Sequence, residues 1–265
     1  MERVEVVLSI EELAYAMGVL GGIDTAIGFL LGTLGQRPRL EVEGRLLAAA
    51  HSLVARGYLA FDVTTSSSWL TDSLAKLVQP IVRNHYILRL SRTKGGEEDI
   101  ATLYASNEGM VLQHLQRGVV SRLLFLADAV DARDQCLLFF DLTNGTEAFS
   151  EPLGTIAANT IDILRRSASE RSLEATAAEL ASHGLEPTQA LRLAEDLRHD
   201  MGRGSIVRLE SQGEEVVSQR GMLILKGDHR NWLFEISPAE EEVLHVYLGT
   251  PAVFDILFMR LTSRI

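Results

Sequence analysis

The first third of the chain shows the hydrophobic periodicity of α-helices. The run Ser9-Ile10-Glu11-Glu12 is a capping box, in which the Ser side chain satisfies a helix amide and Glu12 reaches back, so we predict a helix over 10–20. Later apolar positions at helical spacing stop at Gly57, a residue that favours helix ends. The other predicted elements are helices over 23–34, 43–56 and 69–82 and a short strand over 58–61.

After residue 84 the period changes to that of β-strands. Short apolar stretches alternate with glycine-containing turns such as Lys94-Gly95-Gly96-Glu97-Glu98, which indicates an antiparallel meander. The predicted strands cover 85–92, 100–106, 110–116 and 119–126. A helix is predicted over 128–136, and 137–142 fits either the end of that helix or a strand.

The second half of the chain repeats this order of elements. Helices are predicted over 153–166, 173–183 and 187–201, and strands over 205–211, 214–219, 222–226 and 231–236. The run Ser237-Pro238-Ala239-Glu240 is a capping box with proline at the first helical position, so it predicts a helix that ends near Gly249. A last helix is predicted from Thr250-Pro251 to Leu261.

This order of helices, meander and helix predicts an α+β protein. We expect two quasi-equivalent halves, 1–145 and 146–265, each an antiparallel meander of about four strands with covering helices. The run Ile87-Leu88-Arg89-Leu90 corresponds to Ile206-Val207-Arg208-Leu209 in this pseudo-repeat. The pattern leaves open whether the two halves form separate cores or one merged domain.

Composition excludes several classes of protein. The 265 residues carry a formal net charge of -11 with no dense basic block, and such a surface repels nucleic-acid phosphates. Cys136 is the single cysteine, so no intrachain disulfide forms and a reducing, cytoplasmic location is expected. The N-terminus lacks the pattern of a signal peptide, and the apolar stretch Gly18–Gly35 is too short and too interrupted for a membrane span.

Candidate catalytic and metal-binding residues are few. Asp128, Asp131 and Asp134 recur every three residues, but a solvated helix face explains them better than a cation site, which needs six or more oxygens. Cys136 lies among apolar residues and is expected to be a buried, inert thiol. No zinc-type pair is formed by the seven histidines, His51, His85, His114, His183, His199, His229 and His245. We therefore expect no enzyme, no cofactor and no catalytic or metal-binding residues.

One stretch resembles a DNA-binding element. Gly44 to Leu59 has the form of the last helix and wing of a winged helix, with Arg45 and Arg56 as its candidate phosphate contacts. The acidic net charge favours the alternative, in which a helix, a glycine and a strand simply follow one another.

Taken together, the chain resembles the EspG-type chaperones of type VII secretion. Their first helix is similar to Leu8-Ser9-Ile10-Glu11-Glu12-Leu13, and their Ala/Leu helix ends in Ala-Arg-Gly-aliphatic, like the stretch Leu46–Leu59. A Leu-rich helix then leads into a meander, and the chain ends on a sheet-then-helix unit like Trp232 to Leu261. The present chain departs from them in its longer apolar segment, Gly18–Gly35, and in short loops between its third and fourth strands.

The resemblance implies a non-enzymatic, cytoplasmic chaperone or adaptor that caps a hydrophobic surface of a helical protein partner. Two alternatives stay open at this stage: a winged-helix-like transcriptional regulator and an enzyme of unrecognised type. The expected partner is a helical, hydrophobic-tipped protein or a second copy in a homodimer, with no nucleic acid. The resemblance assigns no partner-binding residues.

Three surfaces are candidates for the partner. Strand edges and a concave sheet face both serve as protein-binding surfaces in other folds. The third is the apolar segment Ile23–Leu34, which we expect to be covered by the fold itself rather than by a partner or a second copy. Trp69 and Trp232 lie in apolar-periodic elements, and we expect both to be buried.

Overall fold

A computed structural model describes residues 4–62, 64–65, 67–142, 151–161, 171–199, 201–212, 215–236 and 243–263. The chain divides into two compact units. Unit 1 comprises Met1–Ile87 and Ala101–Asp128, and unit 2 comprises Leu88–Ile100 and Ala129–Ile265.

Unit 1 combines helices with an antiparallel sheet. Its elements begin with β1 (Glu5–Ser9), α1 (Ile10–Val19), α2 (Ile23–Leu34), α3 (Arg39–Ala55), β2 (Leu59–Asp62), β3 (Ser67–Leu70) and α4 (Asp72–Val82). The next strand, β4 (Tyr86–Lys94), lies mainly in unit 2, whereas β5 (Glu97–Ser106) lies mainly in unit 1. Strands β6 (Gly109–Gln116) and β7 (Val120–Leu126) complete unit 1. The sheet of unit 1 has the order β1-β7-β6-β5, and β2 and β3 form a separate two-stranded ribbon.

The core of unit 1 lies between this sheet and α1 and α4. Alternate residues of the strands point inward, so Val111 and Leu123 are fully buried on β6 and β7. They join the buried residues of the helices, Leu13, Met17, Leu74, Leu77, Val78 and Ile81, in one hydrophobic cluster. Burial of these side chains on both layers explains why the apolar positions have a period of two in the strands and 3.6 in the helices.

A buried carboxylate joins three elements of unit 1. Glu12 is 5% exposed, and its side chain accepts hydrogen bonds from the Ser9 amide at 2.8 Å and the Ser52 hydroxyl at 2.7 Å. Arg56, which follows α3, donates to both carboxylate oxygens at 2.8 and 2.9 Å and to the carbonyl of Val7 at 2.7 Å. The predicted capping box is therefore present, and it also ties β1 and α1 to the end of α3.

The charge state of Glu12 depends on these contacts. Burial alone would raise the pKa of Glu12, but the hydrogen bonds from Ser52, the Ser9 amide and the guanidinium outweigh it and hold the pKa below its ordinary value of 4.5. A carboxyl whose pKa is lower in the folded state stabilises the fold above its unfolded pKa. That stability is lost as the pH falls through the folded pKa.

Unit 2 is built on the same principle. Beyond β4 it contains α5 (Ala129–Phe140), β8 (Gly154–Ala157), α6 (Leu173–Ser182), α7 (Pro187–Arg198), β9 (Gly202–Gln212), β10 (Glu215–Lys226), β11 (Asn231–Ile236), β12 (Val243–Leu248) and α8 (Pro251–Thr262). Its strand order is β4-β9-β10-β11-β12-β8, and the pairs from β9 to β8 are antiparallel. A hydrophobic cluster joins α7 to the sheet through Leu193, Leu197, Trp232 and Phe234.

A second buried carboxylate holds α7 against the hairpin of β10 and β11. Asp196 is 1% exposed and accepts from the Trp232 indole at 2.9 Å, from Arg230 at 3.1 Å and from the His229 amide at 3.3 Å. A Cβ on Gly227 would lie 2.3 Å from this carboxylate, so only glycine lets the hairpin approach so closely. The Trp232 indole, the Arg230 guanidinium and the His229 amide together stabilise the Asp196 carboxylate, which would be unfavourable if it were buried without partners.

The prediction of an α+β fold with antiparallel strands is confirmed. Helix α2 has the predicted bounds, as does strand β11 at Asn231–Ile236. The segment 137–142, which fitted either a helix or a strand, is helical as far as Phe140. The predicted strands 214–219 and 222–226 form one strand, β10, with a register shift between Ser218 and Arg220.

Two segments predicted as helices are strands instead. Val243–Leu248 pairs with β11, and its buried Leu244 and Val246 follow the strand period. The capping box that predicted a helix there lies at 237–240, outside the described residues. Gly154–Ala157 pairs with β12, and the described part of the helix predicted over 153–166 begins only at residue 160.

The prediction that both tryptophans are buried is right for Trp232 and wrong for Trp69. Trp69 lies in β3, where Leu70 takes the buried position opposite Leu59 and the tryptophan points outward. Helix α4 begins only at Asp72, three residues after the predicted start. Strand β1 was not predicted, because its conformation depends on pairing with β7, which lies far away in the chain.

Replacement of Asp196 by alanine should destabilise the protein by about 3 kcal/mol, because the Trp232 indole and Arg230 lose their buried acceptor. Urea denaturation followed by tryptophan fluorescence would measure the change. The control is Asp228→Ala, an exposed acid on the same hairpin, for which we expect a change within about 0.5 kcal/mol. Equal effects of the two substitutions would contradict the role given to Asp196.

The Glu12 cluster should make stability fall with pH below 4.5, the ordinary carboxyl value. Glu12→Gln should lower the urea midpoint at neutral pH and leave a smaller loss of stability on acidification, since one titrating group is removed. Glu43→Gln, a change at an exposed acid, is the matched control. If the variant and the wild type lose stability in parallel between pH 5 and pH 3, Glu12 does not carry the effect.

Candidate protein-binding surface

Helix α2 carries an exposed apolar stripe. Of its residues only Ala26 and Leu30 are buried, whereas Ile23, Ile27 and Leu31 are each at least half exposed. The expectation that the fold covers this segment is therefore wrong. The reason is geometric: the two buried side chains, four residues apart, pack on one side of the helix, and the three exposed ones follow the same spacing on another side. We call Ile23, Ile27 and Leu31 the α2 stripe.

The residues of α2 around the stripe are mostly apolar or small. Asp24 is the single charged residue of α2 and lies in its first turn, where it suits the helix dipole. Gly28 and Gly32 follow Ile27 and Leu31, and a Cβ on either glycine would meet no atom within 4 Å. Each glycine costs about 1 kcal/mol of helix stability relative to alanine, and no internal contact accounts for it.

The ribbon of β2 and β3 exposes two aromatic residues. Phe61 and Trp69 are each just over half exposed. Trp69 is paired with Ala60, one position from Phe61, so the two rings lie on opposite faces of the ribbon. Exposed aromatic residues are common anchors of protein interfaces.

Hydrogen bonds brace the tip of this ribbon. The Asp62 carboxylate accepts from the amide and hydroxyl of Thr64 at 2.8 and 2.6 Å and from the Thr65 hydroxyl at 2.9 Å. These hydrogen bonds, above all the one from the Thr64 hydroxyl, hold the pKa of Asp62 below its ordinary value. The Asp62 carboxylate therefore ties the end of β2, next to Phe61, to Thr64 and Thr65.

The residues proposed for DNA contact do not form a positive face. The order of α3 followed by a two-stranded ribbon agrees with the winged-helix pattern. Arg45, however, pairs with Glu11 and Glu41 at 2.9 Å each, and Arg56 pairs with Glu12. Their charges are balanced by acids of the same unit, so this part of unit 1 offers no electrostatic attraction for phosphates.

The outer strands of the two units are short and partly covered. On β1, the carbonyl of Val7 and the amide of Ser9 are bonded to the side chains of Arg56 and Glu12. On β8, a Cβ on Gly154 would lie 2.6 Å from the carbonyl oxygen of Gly184, which shows how closely that loop approaches the strand. Such edges resist the addition of a partner strand.

The candidate metal and thiol residues do not come together. Among the described residues no group of three or more His, Cys, Asp or Glu could hold a metal ion. Asp134 is exposed and pairs with Arg133, which also bonds to Asp255 at 3.0 Å. Cys136 is fully buried, and burial raises the pKa of its thiol far above the ordinary value.

The histidines are spread over the two units. His51, His85, His183, His199 and His229 are exposed, and His114 and His245 are partly buried. No histidine lines the groove formed by Glu11, Glu12, Arg45 and Arg56 in unit 1. We find no helix within the described ranges that has the length and apolarity to cross a membrane.

Within the described residues, each unit has a groove that brings titratable side chains together. The first, of about 510 Å³, lies in unit 1 and is lined by Glu11, Glu12, Arg45 and Arg56, whose charges pair with one another. The second, of about 280 Å³, lies in unit 2 and has an apolar floor of Met222, Ile236, Leu257 and Leu261. At its rim the Glu235 carboxylate accepts hydrogen bonds from Arg260 at 3.1 Å and from the Tyr247 hydroxyl at 2.9 Å. The pKa of Tyr247 is raised, mainly because the residue is buried and also because Glu235 is negatively charged. In the first groove the Ser52 hydroxyl donates to Glu12, whose carboxylate also accepts from the Arg56 guanidinium.

The sequence did not predict that the apolar residues of α2 are exposed. A signal was present in the spacing of Ile23, Ile27 and Leu31 with two glycines between them, but the same spacing suits a buried helix. The sequence predicts Trp69 in a helix with its side chain buried, whereas the residue lies in β3 with its side chain exposed.

Comparisons with known proteins agree with this fold. No protein-family model matches the chain, and no curated protein matches it in sequence. Among solved structures, the chain is similar to the Mycobacterium tuberculosis type VII secretion system chaperone EspG5, whose structure was determined in complex with a PE25-PPE41 dimer. The alignment covers 97% of this chain and 95% of that chain, with a TM-score of 0.66 and 8% sequence identity. The chain therefore has the fold of the EspG5 chaperone.

Proposed function

We propose that this chain is a non-enzymatic, cytoplasmic protein-binding module of the secretion-chaperone type, which caps a hydrophobic surface of a helical protein partner. The α2 stripe is the observation that carries the proposal. It presents three large aliphatic side chains to solvent on a helix with one charged residue. Contiguous apolar surface of this kind usually marks an interaction site in a monomer.

The geometry of α2 suits a helical partner. Side chains at positions i, i+4 and i+8 form a ridge along the helix, and such a ridge packs into the groove of a second helix. Gly28 and Gly32 leave room beside the ridge for the partner's side chains. A partner with an apolar helical tip would therefore bury the α2 stripe without leaving a charge unpaired in the centre of the contact.

The aromatic residues of the ribbon are a second proposed contact. Phe61 and Trp69 add large apolar area at a low cost in side-chain entropy, because each has two rotatable side-chain bonds. The hydrogen bonds from Thr64 to Asp62 reduce the ordering cost at the end of β2 further. EspG5, which has this fold, binds a PE25-PPE41 dimer, and that supports a protein as the ligand here.

The other features of the proposal rest on the sequence. A reducing, cytoplasmic location accounts for a single, buried cysteine. A role in type VII secretion is inferred from the fold of EspG5. The division into quasi-equivalent halves 1–145 and 146–265 remains part of the proposal, as do the absence of a cofactor and of catalysis.

The test is capture of the partner by full-length chains in the organism of origin. Wild-type chain carrying an affinity tag should recover a stoichiometric helical protein, identified by mass spectrometry. Ile27→Asp should reduce this recovery at least about tenfold, because a carboxylate in the centre of an apolar contact costs more than 1.4 kcal/mol of binding free energy.

The matched control is Leu138→Asp, which places the same charge at an exposed leucine of α5 in unit 2. This variant should recover the partner like the wild type, and circular dichroism should show that both variants are folded. Equal recovery by Ile27→Asp and the wild type would exclude the α2 stripe. Recovery of no partner, together with salt-sensitive binding to random duplex DNA, would support the winged-helix alternative instead.

A further inference from the structure

The groove of unit 2 lies where the end of α8 meets β10 and β11. Each of these elements contributes to its apolar floor, and its polar residues are Arg220, Glu235, Arg260 and Ser263. The volume of about 280 Å³ falls just below the roughly 300–1,000 Å³ of typical small-molecule sites. An apolar floor with a few polar groups beside it is the usual lining of such a site. The groove therefore suits a small ligand that is apolar at one end and polar at the other.

Part of the Arg220 side chain has a structural role. Its Nη1 donates to the carbonyl of Arg260 and to the Ser263 hydroxyl, the latter at 3.2 Å. That carbonyl belongs to the last turn of α8, where a positive charge suits the helix dipole. These bonds hold the guanidinium at the end of the helix, but they use only one of its three nitrogens.

The rest of the Arg220 guanidinium lacks a partner within the described residues. Its Nε is buried without a hydrogen bond, and none of the described carboxylates forms an ion pair with it. The nearby Glu235 is paired with Arg260 instead. A buried donor without an acceptor costs free energy, so a ligand that supplied an acceptor would gain affinity. Arginine presents Nε and Nη2 side by side, in the geometry that binds both oxygens of a carboxylate.

The charge of the groove favours a monoanion. Arg220 and Arg260 supply two positive charges to the lining and Glu235 supplies one negative charge, which leaves a net charge of +1. The whole chain, by contrast, has a net charge of -11. A ligand with one negative charge would balance the lining, whereas a dianion would exceed it and be repelled by the Glu235 carboxylate.

We propose that this groove binds an aliphatic monocarboxylate of about eight carbons, whose carboxylate bonds to Arg220 and whose chain lies on the apolar floor. The length follows from the volume, which equals that of roughly nine water molecules in the liquid. The Ser263 hydroxyl, which also lines the groove, is a second donor for the carboxylate. This site lies in unit 2 and takes a small molecule, so it goes beyond the proposed protein-binding function of unit 1.

Isothermal titration calorimetry of the full chain with octanoate tests the proposal. A ligand of this size with one charged contact should bind with a dissociation constant of roughly 10 μM to 1 mM. Octan-1-ol has the same apolar body without the charge, and it should bind at least about tenfold more weakly because it cannot form the bidentate contact with arginine. Equal affinities for octanoate and octan-1-ol would contradict a site for carboxylates.

Arg220→Gln should weaken octanoate binding at least about tenfold, because the carboxylate loses its charged partner. The matched control is Arg192→Gln, which removes the same charge from an exposed arginine of α7 outside the groove lining, and it should bind octanoate like the wild type. Circular dichroism should show that both variants are folded. Equal octanoate affinities for folded Arg220→Gln and the wild type would overturn the proposal.

Glu235→Gln tests the charge of the groove in the opposite direction. The amide removes the negative charge that repels the ligand, so octanoate should bind about threefold more tightly than to the wild type. Partial unfolding of a variant cannot strengthen binding, so this result does not depend on the stability of the variant. Weaker binding of octanoate to folded Glu235→Gln would contradict the proposed electrostatics.

Two further measurements separate the source of the carboxylate and the two functions. N-acetyl-leucine carries the carboxylate of a peptide C-terminus on a body of similar size, and we expect octanoate to bind more tightly because the floor has no partner for an amide. Ile27→Asp, the variant of the α2 stripe, should leave octanoate binding unchanged, whereas Arg220→Gln should leave capture of the helical partner intact. Absence of octanoate binding to the wild type at concentrations of several millimolar would overturn the inference.

Discussion

The carboxylate of Glu12 is the contact on which the arrangement of unit 1 depends. It satisfies an amide at the start of α1, a hydroxyl in α3 and the guanidinium that follows α3, and the same guanidinium reaches the carbonyl of Val7 in β1. Of the residues that donate to it, Ser52 and Arg56 lie 40 and 44 residues from Glu12 in the chain, whereas Ser9 is only three residues away. Because the carboxylate is almost fully buried, loss of any one donor leaves charge uncompensated rather than exposed to water. The orientation of α3, and hence of its outward side, follows from this cluster.

Much of the fold could be predicted from the sequence where local and long-range requirements agree. The residues Asn231–Ile236 alternate as a strand and lie in one, and the apolar run Ile23–Leu34 has glycines at both ends and forms a helix. The helix prediction failed at Val243–Leu248, where pairing with a neighbouring strand decides the conformation. A local stretch of about ten residues does not indicate which other strand it will pair with. The same applies to β1, whose five residues are held by β7, more than a hundred positions away.

The candidate surfaces could be predicted less well, for a physical reason. Hydrophobic periodicity shows which side of a helix avoids water but does not show what covers that side. The residues of the α2 stripe have the spacing that apolar residues of a buried helix would also have. Trp69 adds a related case, since one step along a strand moves a side chain from the core to the solvent. Only the positions of the neighbouring elements distinguish the outcomes.

The glycines of α2 have a consequence for the dynamics of unit 1. Gly28 and Gly32 lower the helical propensity of a segment that has two buried side chains to hold it in place. Amides in such a segment should exchange with deuterium through local opening at a lower free energy than those of α1, most of whose residues are buried. A partner that packs along α2 would have to order the helix as it binds, and its seating would then appear as slowed deuterium uptake in this helix.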